Sequence, residues 1–240
     1  MQAPHRLPLK RTTIAVLLFG TAFGYLEAAV VSYLRDLHEP ARQRFYPGRH
    51  AGDLFPLLTL EQVRQSGAMQ PNRLVIEIGR EAATIIMLGA VALAVAENIG
   101  QWAAVFVITF GIWDITFYLS VWVILGWPAS VFTWDILFLL PVPWVGPVLA
   151  PVLVSAVMIG TGVYHLWREA TGRPVPIGRT RWVGIMAGAV VIVVAFAMDY
   201  KHIMRSGMPH SFNWGLFALG LGGGLVQYVG AAMRSRGAEA

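Results

Sequence analysis

Five carboxylates interrupt the apolar runs of this chain: Glu27, Glu77, Glu81, Asp114 and Asp135. Acidic side chains at membrane depth are costly, and where they occur they mark ion and proton paths, counter-ions or catalytic groups. Glu77 and Glu81 are four residues apart and share one helical stripe, with Arg80 beside them. With all five ionised, a single Arg within the apolar runs leaves a formal charge of −4. A low dielectric opposes such a charge, so some of the acids are protonated, reach water or hold a bound cation.

Three kinds of chemistry suit these residues. One is a proton- or cation-binding cavity built from Glu27, Glu77, Arg80, Glu81, Asp114 and Asp135. The second is a divalent metal site using Glu27, Glu81 and Asp135, with His38 just past the first apolar run. An all-oxygen set favours Mg²⁺, Ca²⁺ or Mn²⁺, and an added His admits Zn or Fe. The third is a neutralised network, in which Arg80 pairs with one or two acids and the rest are protonated or bonded to Trp113, Trp134, Thr116 or Tyr118. The chain has no Cys, which removes thiolate metal sites and Cys nucleophiles. It also lacks H-E-x-x-H, the Glu-x-x-His pairs of di-iron bundles, G-x-S-x-G and a Walker loop. A bis-His haem needs two His at matching depth. His165 is expected near one membrane face and His38 and His202 near the other, so no haem is expected. His5, His50 and His210 read as loop residues.

The elements that must carry these acids are membrane helices. Hydrophobic residues make up 56% of the 240-residue chain and charged residues 13%, where a soluble domain has about 25% charged. About 20 apolar residues cross the hydrocarbon core as a helix. Six runs meet that length, at about 12–34, 74–96, 101–125, 145–167, 182–200 and 212–233. Asn72, after Pro71, is the expected N-cap of the second. Between Trp127 and Pro147, Pro128 suits a helix start while Pro141 and Pro143 stop it, so a short re-entrant helix is expected at about 128–140. A seventh, short span is the competing reading. The fold class expected is an all-α polytopic bundle forming one membrane domain over residues 1–240, with a structured loop at 35–73.

A rise of about 1.5 Å per residue puts Glu27 and Asp135 about 10 Å deep, and Glu77 and Glu81 about 7 and 13 Å deep, all from one membrane face. Asp114 lies nearer the midplane. With six spans and a cytoplasmic N-terminus, nine Lys and Arg fall on the cytoplasmic side and eight on the other. Six of those eight belong to the long loop, and leaving it out gives nine against two, which favours both termini inside. The surplus of basic residues lies between spans, where it sets topology, so the lipid bilayer is the expected partner and nucleic acid is not. The G-x-x-x-G pairs Gly184/Gly188 and Gly220/Gly224 point to close packing of helices, within the chain or against another copy or a complex partner. Trp113 and Trp134 each directly precede an Asp, and the repeated Trp–Asp pair is expected to line one pocket.

The segment GIWDITFY (Gly111–Tyr118), followed by WPASVFTWDILFLLPVPWVGPVLAP (Trp127–Pro151), resembles a family of bacterial polytopic integral membrane proteins without an established activity. EIGREAATIIML (Glu77–Leu88) fits the same pattern, and the resemblance covers about the first two-thirds of the chain. It implies a bacterial cytoplasmic (inner) membrane location and brings no catalytic residues. The function expected from the residues is therefore a small carrier or coupling subunit with an acidic cavity for protons or a cation. An intramembrane metal-dependent or acid/base enzyme and a non-catalytic subunit of a membrane complex are the alternatives.

Overall fold

The computed structural model describes residues 9–48, 58–66, 71–206 and 209–237. His5, Arg6, His50 and much of the expected loop lie outside the described residues.

Among the described residues, six helices are long and apolar enough to cross a membrane. They are α1 (Leu9–Phe45), α3 (Pro71–Val95), α4 (Ile99–Leu125), α5 (Leu149–Ala170), α6 (Arg179–Ala197) and α8 (Trp214–Gly237). Two short helices join them, α2 (Leu60–Ser66) and α7 (Tyr200–Ser206). The side chains that point away from the bundle are themselves apolar, Leu18, Leu93, Val123, Val190 and Leu219 among them. Water would penalise such a surface at roughly 25 cal/mol per Å², so hydrocarbon is its natural solvent. The chain is a multi-pass helical membrane protein.

Local signals set the ends of several elements. Asn98 caps α4 by accepting the Gln101 N–H at 2.9 Å, and Gly126 closes that helix in the left-handed region at φ 65°. Thr59 and Gln62 form a reciprocal capping box at the start of α2, each side chain bonding the other's backbone N–H. Asn72 is not a cap, because α3 already begins at Pro71, the ring's fixed φ suiting a first helical position.

Two expectations need correction. The first helix does not end near Leu34 but runs on through Pro40 to Phe45. Its extra turns carry a Glu39–Arg42 ion pair at 2.6 Å and a Gln43–Glu39 hydrogen bond, which support helix in a polar stretch. The second correction concerns residues 128–140, which are not helical. Here β1 (Trp134–Phe138) pairs antiparallel with β2 (Trp144–Pro147), placing Asp135 opposite Gly146 and Ile136 opposite Val145. The aromatic and β-branched residues of β1 suit a strand, and Pro141 and Pro143 fall in the connection, where a missing N–H costs the ladder nothing. A hairpin also satisfies its backbone groups internally, as a short segment packed among membrane helices must.

The spanning helices pack in two groups, and the hairpin contacts α5 and α6. α4 is central, packed against α1, α3 and α5, while α6 and α8 form their own close pair. The glycine faces account for that pair. A Cβ on Gly188 would come within 2.7 Å of the Gly220 carbonyl oxygen, and one on Gly220 within 2.8 Å of that of Gly188. The two backbones touch where any side chain would separate them.

Candidate functional site: a split carboxylate centre

The five acids sit on α1, α3, α4 and the hairpin, and their partners divide them into separate groups rather than one cluster. Arg80 on α3 is shared by two of them. Its Nε donates to Glu77 Oε2 at 2.8 Å, and its Nη1 donates to Glu27 Oε1 across to α1. Both carboxylates are mostly shielded, with 13% and 14% of their side-chain surfaces exposed, so this is a partly desolvated triad rather than a surface pair. One turn of helix separates Glu77 from Glu81, yet Glu81 does a different job. It is buried, and its Oε2 accepts the backbone N–H of Leu139 at 2.8 Å, just past the end of β1.

The two aspartates have hydroxyl partners. Tyr118 donates to Asp135 Oδ2 at 2.9 Å, while Asp135 Oδ1 accepts the N–H of Ile136 at 2.9 Å. Ser155 on α5 donates to Asp114 Oδ2 at 2.7 Å. Asp114 and Tyr118 lie four residues apart on α4 and so share a stripe, which sets the two hydroxyl–carboxylate pairs side by side. α5 comes this near because α4 carries Gly111, where a Cβ would meet the Ser155 carbonyl oxygen at 2.7 Å. Burial pushes the Asp135 carboxyl up to about 6, against the pull of the Tyr118 hydroxyl, the Arg35 charge and the Ile136 N–H.

Arg35, Ser155 and the Leu139 N–H escaped the reading of the sequence. Arg35 belongs to the extra turns of α1, and its guanidinium lies 4.0 Å from the centre of the buried Trp127 ring. Helical periodicity continuing past Leu34 was the available signal. Nothing in the sequence singles out Ser155 from other hydroxyls in the spans, and a backbone donor has no side-chain signature.

The residues expected to bind a metal are not gathered. Among the described residues no three His, Asp or Glu side chains converge as a metal-binding group. His38 is buried and its Nδ1 lies 2.7 Å from the Leu34 carbonyl oxygen on its own helix. His165 sits on α5, 3.9 Å from Glu169, and belongs to neither aspartate pair. The two Trp–Asp pairs also part company, contrary to the expectation of one pocket. Trp113 packs with Phe23, Phe110 and Phe138, whereas Trp134 packs edge-on against Phe212 in a different region.

Chemically, the centre is a set of fixed carboxylates with neutral or shared donors.

No protein-family model, curated protein or solved structure matches the chain.

Proposed function

We propose that this protein binds protons at its intramembrane carboxylates and serves as a small carrier or coupling subunit of the bacterial cytoplasmic membrane. The observation that carries the reading is the pairing of Asp135 and Asp114 with the hydroxyls of Tyr118 and Ser155, while Arg80 is taken up by Glu27 and Glu77. Five carboxylates face two guanidiniums, Arg80 and Arg35, which leaves −3 if every acid is ionised. An apolar surrounding opposes that charge, and proton uptake is the simplest relief. A carboxylic acid kept neutral still uses both oxygens, and a hydroxyl partner accommodates either protonation state by turning its own hydrogen.

Both termini lie on the cytoplasmic side in this reading, with the hairpin end facing outward, as the distribution of Lys and Arg favours. The carboxylates are then reached from outside. In vesicles carrying the purified protein and an enclosed pH dye, an imposed proton gradient should dissipate faster than in empty vesicles. Glu81→Gln and Asp135→Asn should each slow it. Equal rates for wild type and both variants would remove the carrier reading.

A further inference from the structure

A second site lies beside the hairpin, apart from the Tyr118–Asp135 pair. Successive strand residues point to opposite faces. Asp135 turns to Tyr118, and its neighbour Trp134 lines a cavity of about 420 Å³ bounded by the end of α6, the segment after it and the start of α8. That volume lies within the roughly 300–1,000 Å³ of small-molecule sites. Four aromatic residues line it, Trp134, Phe196, Phe212 and Trp214, and they hold one another in edge-on and tilted contacts with centroids 4.9–6.4 Å apart. Phe196 is almost wholly buried. The wall is therefore a connected aromatic frame.

One carboxylate lies in this wall. Among the described residues that line it, there is no Lys or Arg and Asp199 is the only carboxylate. Two donors from one residue hold it in place: the His210 backbone N–H bonds Oδ2 at 2.7 Å and His210 Nδ1 lies 2.9 Å from Oδ1. A carboxylate offers about four acceptor positions, so two remain, and 30% of the side chain is still exposed. The His210 ring stacks on His202 at 3.6 Å between centroids, which fixes the imidazole from its other side. The Asp199 carboxylate stands beside these aromatic rings in one space. Rings and a carboxylate around one space are the elements that recognise an organic ammonium group, through the ring quadrupole and direct ion pairing.

We infer that this cavity, lined by Trp134, Phe196, Phe212, Trp214 and Asp199, is a binding site for an organic ammonium ion. The site is independent of proton binding at the carboxylate centre and shares only the hairpin with it. The ammonium can come from a free amine or from a lipid headgroup.

Choline, titrated calorimetrically into the protein in an uncharged maltoside detergent, is the direct probe, with 3,3-dimethyl-1-butanol as its uncharged isostere. Saturable choline binding at least about tenfold tighter than the isostere is expected, and tenfold corresponds to 1.4 kcal/mol. Asp199→Asn and Trp214→Leu should each weaken choline binding by about tenfold or more while both variants keep the wild-type elution volume and near-ultraviolet circular dichroism. Phe212→Leu keeps the Asp199–His210 contact and tests the aromatic wall by itself if Asp199→Asn fails to fold. Repeating the titration in bilayers of phosphatidylglycerol with and without phosphatidylethanolamine separates the sources. Affinity that is unchanged by phosphatidylethanolamine marks a site for free amines, and affinity that falls marks a headgroup site. Absence of saturable binding, equal binding of the isostere, or unchanged binding in folded Asp199→Asn and Phe212→Leu would overturn the inference.

Discussion

Glu81 on α3 holds the hairpin by accepting the Leu139 N–H at 2.8 Å, 58 residues away in sequence. A buried carboxylate thus takes the place of a strand partner for Leu139, and this acid becomes part of the fold. The bond also predicts how substitutions at Glu81 differ. Glu81→Gln keeps an acceptor and should cost about 1 kcal/mol, whereas Glu81→Leu strands the amide and should cost about 1–3 kcal/mol. Thermal unfolding in detergent gives the order, and hydrogen exchange at the Leu139 amide should quicken in the leucine variant alone.

Arg80 answers to two carboxylates, and that asymmetry is testable. Removing it as Arg80→Met leaves Glu27 and Glu77 facing each other without a cation, at a cost of about 3–5 kcal/mol for a broken buried pair. Neutralising both acids in the same chain, as Glu27→Gln and Glu77→Gln, should restore most of the loss in a melting experiment. If the triple variant melts as low as Arg80→Met, the ion triad is not what holds α1 to α3.

The membrane helices were legible in the sequence because hydrocarbon imposes a length, and six apolar runs met it. The hairpin was not. Pro128 followed by an apolar stretch reads as a helix start, and the strand pairing that wins depends on Trp144–Pro147, which overlaps the apolar run at 145–167. The carboxylates were legible as acids interrupting apolar runs. Their separation into an arginine triad, a backbone anchor and two hydroxyl pairs was not, because it depends on which direction each helix faces. Arg35 shows the same limit, as a residue assigned to a loop that proved to be helical.

Gly188 and Gly220 make a graded prediction. Gly188→Ala drives a methyl group into the backbone of α8 and should destabilise the α6–α8 pair by about 1–3 kcal/mol, as overpacking does. Gly184→Ala meets only the flexible Gln227 side chain and should cost less, while Gly223→Ala has nothing within 4 Å and should be neutral. Melting temperatures of the three variants in one detergent test that order.

Because the chain has no Cys, single introduced thiols report topology without background. Ser130→Cys in the exposed turn before β1 should react with a membrane-impermeant maleimide in intact cells. Thr171→Cys, at the exposed opposite end of α5, should react only after the membrane is opened. The reverse pattern would put the carboxylates on the cytoplasmic side.

Protonation of Asp135 also has a signed effect on stability. Its folded value of about 6 lies above the ordinary 3.8, so the folded state binds the proton more tightly than the unfolded state. The resulting stabilisation is complete below 3.8 and is lost as pH rises through about 6. Asp135→Asn should flatten that part of the melting-temperature profile, and Tyr118→Phe, which removes a bond to the ionised form, should move the loss toward higher pH.

The most direct test of proton binding is infrared titration of the protein in bilayers, following the carbonyl stretch of protonated carboxyl groups. Wild-type protein should show this band at low pH and lose part of it with a midpoint near 6, and Asp135→Asn should lack that step. A band whose titration is the same in wild type and Asp135→Asn, or one that vanishes at the ordinary carboxylate range, would contradict proton binding at this centre.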